Sequence, residues 1–163
     1  MKKIYTAKSF QETQKIGEDL AQKIIKTGPQ KQAKILCLSG NLGGGKTTFL
    51  QGFATGLGIK EKILSPTFVI LKHFKITRNS KFEIRNSKFT DLYHIDCYRL
   101  NSENDILELD FKNIIKNPEN IVAIEWPEKI YPSGHREKVL PQKTINIDFK
   151  FVDEQTREIK LEM

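Results

Sequence analysis

The spacing of apolar positions changes repeatedly along the chain, and each change marks an element. Residues 3 to 7 are predicted as a short strand. Ser9 then stands three residues ahead of Glu12, the spacing of a capping box. Phe10, Ile16, Leu20, Ile24 and Ile25 follow as a helical stripe that runs up to Gly28 and Pro29. Ala33 to Leu38 is an apolar run without alternation, as expected of a strand buried on both faces of a parallel sheet. Beyond Lys46 the helical spacing returns with Phe49, Leu50, Phe53 and Leu57, and Gly56 and Gly58 supply the stop.

Further along, Phe68 to Phe74 and Phe89 to Ile95 read as strands. Asn101 to Asn117 reads as one or two short helices, with Ser102 as a cap. Ile121 to Ile124 is a second continuous apolar run, ended by Glu125-Trp126-Pro127. From Thr144 to Phe151 the pattern alternates, placing Ile145, Ile147, Phe149 and Phe151 on one face, and Glu158 to Leu161 completes a C-terminal hairpin.

Composition adds bounds to this outline. The chain of 163 residues, 38% hydrophobic and 29% charged, suits a single domain with one core, 1–163. Its start, MKKIYTAKSFQET, has no apolar signal region, and nowhere do 18 apolar residues run together; a cytoplasmic protein without a membrane segment is expected. Cys37 and Cys97 match no metal or redox spacing and are read as two reduced, buried thiols.

The net charge of +7 invites a nucleic-acid reading, but its location weakens it. Residues 72 to 88 carry six basic side chains, Lys72, Lys75, Arg78, Lys81, Arg85 and Lys88, against Glu83, a net of +5. The same stretch holds Arg78-Asn79-Ser80-Lys81-Phe82 and then Arg85-Asn86-Ser87-Lys88-Phe89. A seven-residue step repeated twice is too short for a solenoid and reads as a duplicated insertion at a loop tip, about 76–90. A solvated loop is the plainer account, and a basic tip touching RNA or an acidic partner the alternative.

The chemistry enters at GNLGGGKTT, residues 40 to 48, which contains Gly-x-x-x-x-Gly-Lys-Thr between a predicted strand and a predicted helix. Gly40, Gly43, Gly44 and Gly45 let successive backbone N–H groups turn toward an anion, and the helix start adds its dipole. Lys46 is placed to reach β and γ phosphates, and the Thr47 hydroxyl to ligate Mg²⁺. The expected fold is therefore α/β, P-loop NTPase-like: a largely parallel sheet flanked by helices, with antiparallel additions that include the C-terminal hairpin.

Acids at the ends of neighbouring strands hold the metal or orient water in such folds. Glu125, straight after Ile121 to Ile124, fits that slot, and Asp96 ends another predicted strand. Thr67, in Ser65-Pro66-Thr67-Phe68, has the setting of a switch threonine that contacts Mg²⁺ and the γ-phosphate. His94 is read as orienting Asp96 or as making a structural hydrogen bond, and Trp126 as packing or as sheltering the nucleotide.

Gly-Asn-Leu-Gly-Gly-Gly-Lys-Thr-Thr, Ser-Pro-Thr-Phe, His-Ile-Asp-Cys-Tyr-Arg and Glu-Trp-Pro, in this order, resemble the TsaE (YjeE) family, bacterial P-loop ATPases of tRNA threonylcarbamoyladenosine biosynthesis. The likeness runs from the Ser9 helix to Arg157-Glu158-Ile159. It implies ATP and Mg²⁺ bound by Gly40, Asn41, Leu42, Gly43, Gly44, Gly45, Lys46, Thr47 and Thr48. It also implies a metal and hydrolysis site completed by Thr67, Asp96 and Glu125, and the partner proteins TsaB and TsaD. Asn41 stands where an acid is common in the family, Cys97 where Leu is usual and Lys129 where Arg is typical, and the repeat-bearing insertion is not a family feature.

Hydrolysis is expected to be weak alone and stimulated by partners, since Arg99 is the only arginine finger candidate in cis. A small-molecule kinase and a non-catalytic, nucleotide-dependent assembly module are the alternatives. No Asn-Lys-x-Asp guanine signature is present.

Overall fold

A computed structural model describes residues 1–64, 69–77, 88–131, 140 and 143–163. Within these lie seven strands, β1 (Lys2–Ala7), β2 (Lys34–Gly40), β3 (Leu71–Lys75), β4 (Asp91–Asp96), β5 (Asn120–Glu125), β6 (Ile145–Phe151) and β7 (Arg157–Glu162). The helices are α1 (Phe10–Thr27), α2 (Lys46–Gly56), α3 (Glu103–Leu107) and α4 (Phe111–Lys116). One sheet joins all the strands in the order β1-β7-β6-β2-β5-β4-β3. The four middle strands β6, β2, β5 and β4 run parallel; β3 on one side, and β7 and β1 on the other, are antiparallel additions.

The two unbroken apolar runs take the centre, where both faces of a strand are covered. Every residue of β5 is buried, and so are Ile35 to Leu38 of β2. Alternate side chains feed two cores. Leu36, Leu38, Ile121 and Ala123 meet α1 and α2, whereas Ile35, Cys37, Val122 and Ile124 meet Ile106, Phe111 and Ile114 of α3 and α4.

At the start of α1 the Ser9 hydroxyl accepts from the Glu12 N–H at 3.1 Å, half of the predicted capping box, while the Glu12 carboxylate accepts from the Lys8 N–H at 2.7 Å rather than from that of Ser9. Its buried stripe is Thr13, Gly17, Leu20, Ala21, Ile24 and Ile25. Phe10, predicted to face the core, is 66% exposed and lines the cleft beside Ser9 and Thr13. The helices α1 and α2 run in the same direction and approach closely. A Cβ on Gly52 would collide with the Gln14 carbonyl, and one on Gly17 with that of Phe49.

The strand predicted over 68–74 is β3, beginning at Leu71; Phe68 lies outside the described residues. So do Thr67 and residues 78–87 of the insertion. The pairing of β3 with β4 is antiparallel with Lys75 opposite Asp91, and Ile76 N–H bonds Thr90 O at 2.9 Å beyond it. Phe151 leaves the buried face of β6 and is half exposed, with the Arg157 guanidinium 4.5 Å from its ring centre. Cys37 and Cys97 are buried, reduced thiols, and burial pushes the Cys97 thiol well up.

Candidate functional site

The site is built where the parallel strands end. β2 runs into the loop at Gly40, whose φ of 127° is open to glycine and whose α-hydrogen faces the Phe149 carbonyl, leaving no room for a Cβ. The Gly44 N–H closes the turn on Asn41 O at 3.0 Å, and α2 begins at Lys46. The N–H groups of this turn and the positive end of an 11-residue helix therefore meet at one spot.

Lys46 is buried there, though it carries a charge. Its Nζ donates to Gly40 O at 2.6 Å and Asn41 O at 3.0 Å, and lies 3.8 Å from the centre of the Trp126 ring. Burial pushes its pKa below the ordinary lysine value, and the carboxylates of Glu125, Glu128 and Asp96 pull it back in part. The loop's own carbonyls thus serve as the acceptors for the ammonium.

Asp96 and Glu125 are neighbours in the β4–β5 register, at the same end of adjacent parallel strands, and both are buried. The backbone holds them level, because Cys97 N–H bonds Glu125 O at 3.0 Å and Trp126 N–H bonds Leu38 O at 3.1 Å. Asp96 accepts the Tyr98 N–H at 2.9 Å. Glu125 accepts from His94 Nε2 at 2.9 Å, so the histidine serves Glu125 rather than Asp96. His94 and Asp96 are two apart on one strand face, whereas Glu125 sits diagonally across from His94.

These groups line a cleft of about 480 Å³ together with Leu42 through Thr48. The sequence prediction thus brings Lys46, Thr47, Thr48, Asp96 and Glu125 together, with Gly40 and Asn41 shaping the loop and Leu42 77% exposed at its tip. Thr67 lies outside the described residues, and Arg99 is not among the cleft-lining residues.

Sequence reasoning missed Arg157 and underrated Trp126. Arg157 reaches across from β7, donating from Nε to Gly43 O at 3.1 Å and from its guanidinium to Thr156 O at 2.9 Å. No local signal ties it to a loop 114 positions away. Trp126 turns through a left-handed φ of 56°, which aims its ring at Lys46, and it tilts against Tyr98 at 5.1 Å. The Trp-Pro pair was visible; the turn it makes was not.

An N–H cradle, a lysine, a half-buried hydroxyl and two carboxylates make a place for a polyphosphate and a hard, oxygen-loving cation. Among the described residues no group of three or more His, Cys, Asp or Glu stands together as a metal cage. No helix among the described residues is long and apolar enough to cross a membrane.

Residues 7–159 match the family described as threonylcarbamoyl adenosine biosynthesis protein TsaE. A tRNA threonylcarbamoyladenosine biosynthesis protein TsaE from Bacillus subtilis is 36% identical over 129 residues, 79% of this chain and 69% of the relative. Its counterpart from Treponema pallidum is 32% identical over 131 residues, 79% and 82% of the two chains. Another, from Aquifex aeolicus, is 28% identical over 155 residues, 94% and 90%. The crystal structure of Bacillus subtilis YdiB superimposes with a TM-score of 0.65 at 27% identity, covering 99% of this chain and 84% of that one.

Proposed function

This chain belongs to the TsaE family of threonylcarbamoyl adenosine biosynthesis proteins, and on that footing we propose that it binds Mg·ATP in the cleft and hydrolyses it in the service of tRNA threonylcarbamoyladenosine modification. The observation that carries this reading is the placement of Asp96 and Glu125, side by side at the ends of β4 and β5, against the loop that holds Lys46.

Lys46 exchanges the carbonyls of Gly40 and Asn41 for β and γ phosphate oxygens, a stronger pairing because the acceptor is charged. The loop N–H groups of Gly43 to Thr48 hold the remaining phosphate oxygens. The Thr47 hydroxyl and Glu125 would hold Mg²⁺, with Thr67 a further candidate, and the ion would supply positive charge against that of the phosphates. Asp96, next to Glu125, holds the attacking water in line or accepts its proton. Arg157 steadies the loop from the hairpin side, and because its guanidinium already serves backbone carbonyls it does not replace a finger supplied in trans. Turnover is accordingly slow alone and faster with the partners TsaB and TsaD; contact with tRNA is weak or indirect.

Phosphate release from Mg·ATP by wild type and Glu125→Gln, each alone and with TsaB, TsaD and tRNA, tests the proposal. Release that rises with the partners and is lost in the variant is the expected result. ATP bound with no release in any mixture would replace it with a non-catalytic assembly role.

A further inference from the structure

We propose that His94 is a positioning residue for hydrolysis, one that fixes the Glu125 carboxylate through its Oε1 and leaves Oε2 to work in the cleft. The inference rests on the role given to Glu125 above.

His94 sits on β4 opposite Ala123, and Glu125 follows Ala123 by two on β5, so the two side chains leave the same face of the sheet on a diagonal. Both are enclosed, His94 at 1% exposure and Glu125 at 2%. Their bond, Nε2 to Oε1 at 2.9 Å, is the imidazole's one hydrogen bond among the described residues, because its Nδ1 has no partner there.

The imidazole uses one of its two nitrogens and leaves the other without a partner, so filling space alone does not call for a histidine here. An aliphatic side chain would fill the same space without the unpartnered nitrogen. What the imidazole supplies is direction. A carboxylate accepts, so Nε2 must carry the hydrogen, and a ring enclosed to 1% exposure on β4 offers that N–H at one place only. Glutamate has three side-chain torsions to restrain, and anchoring one oxygen removes most of that freedom before substrate arrives.

The same fixing explains how a glutamate, longer than the aspartate beside it, holds its head in register at the end of a strand. Asp96 needs no such partner: its short side chain is steadied by the backbone N–H of Tyr98 two residues on.

The test compares His94→Leu, His94→Gln and Glu125→Gln in Mg·ATP hydrolysis with the TsaB and TsaD partners present. Leucine should lower kcat about 10- to 100-fold while KM for ATP stays within about three-fold, the scale of a misplaced catalytic group. Glutamine, which again presents an N–H near the Nε2 position, should recover most of the loss. Wild-type kcat in His94→Leu overturns the proposal, as does a loss that glutamine does not recover and that is matched by weaker nucleotide binding. Full activity in Glu125→Gln defeats the reading of the acid itself, and with it any need to position that acid; a dead Glu125→Gln beside an active His94→Leu defeats only the histidine.

A second readout needs no turnover. With ¹⁵N-labelled histidine, His94 should show a slowly exchanging Nε2–H resonance that moves in Glu125→Gln and vanishes in His94→Gln. An Nδ1–H tautomer at His94 would overturn the proposal.

Discussion

The Lys46 ammonium lies 3.8 Å from the centre of the Trp126 ring while bonded to the carbonyls of Gly40 and Asn41. A cation over an indole face and a cation in an anion's cradle are the same atom, so filling the cradle must disturb the ring.

Trp126 is the single tryptophan of the chain. Titration with ADP or ATP should therefore give a saturable change in tryptophan emission as Lys46 moves from the ring to phosphate. Unchanged emission at nucleotide concentrations that equilibrium dialysis shows to be bound would sever the link between ring and lysine.

Lys46→Met should separate binding from stability. Burial disfavours the ammonium in the free protein, so an apolar side chain of similar length should leave the urea midpoint unchanged or raise it, within about 1 kcal/mol. Nucleotide affinity should fall ten-fold or more. The lowered pKa has a sign as well: folding favours the neutral amine, so its penalty eases as pH rises toward the unfolded lysine value of 10.5, and the two proteins should converge in stability there.

Arg157→Ala should weaken ADP binding about three- to ten-fold by removing the bond to Gly43 O, a loss on the order of 1 kcal/mol. Arg157→Lys keeps the charge without the planar fork and should recover only part of it. Equal affinity in all three proteins would show that the hairpin does not brace the loop.

Gly52→Ala should destabilise by about 2–3 kcal/mol in urea unfolding, because the new methyl meets the rigid backbone of Gln14 and α1 must move. A melting curve identical to wild type would show that the helices have slack between them.

Asp91 anchors the β3–β4 pair, and acid releases it. Burial pushes its pKa up, but hydrogen bonds from Lys75, Thr90 and His73 outweigh that and bring it to about 2, from 3.8. A depressed carboxylate stabilises the fold above its unfolded pKa, and that stability is lost as pH falls from about 4 toward 2. Asp91→Asn should cost about 2 kcal/mol at pH 6, and the gap to wild type should narrow across that acid window.

Much of this was legible in the chain. Unbroken apolar runs mark β2 and β5, since strands covered on both faces need no polar alternation, and the phosphate loop sits where strand gives way to helix. What could not be read is anything set by register. His94 looked like a partner for Asp96 because the two are close in sequence, but only the alignment of β4 with β5 delivers it to Glu125. Arg157 is invisible for the same reason: β6 has to pair with β2 before the hairpin can bring it to Gly43. Phe10 and Phe151 kept the period of a buried stripe past the point where anything covers it, since a pattern carries no information about where its neighbours end.

The glycine contacts between α1 and α2 have a mechanical meaning. Both helices start at the cleft, α1 with Ser9 and Thr13 and α2 with Lys46, and they touch backbone to backbone at Gly17 and Gly52 with no side chain between them to act as a cushion. A displacement of the first turn of α2 therefore bears directly on α1, which joins through the two-residue link at Lys8 and Ser9 to β1, at one edge of the sheet. The load path from phosphate to the sheet's far edge is stiff and short.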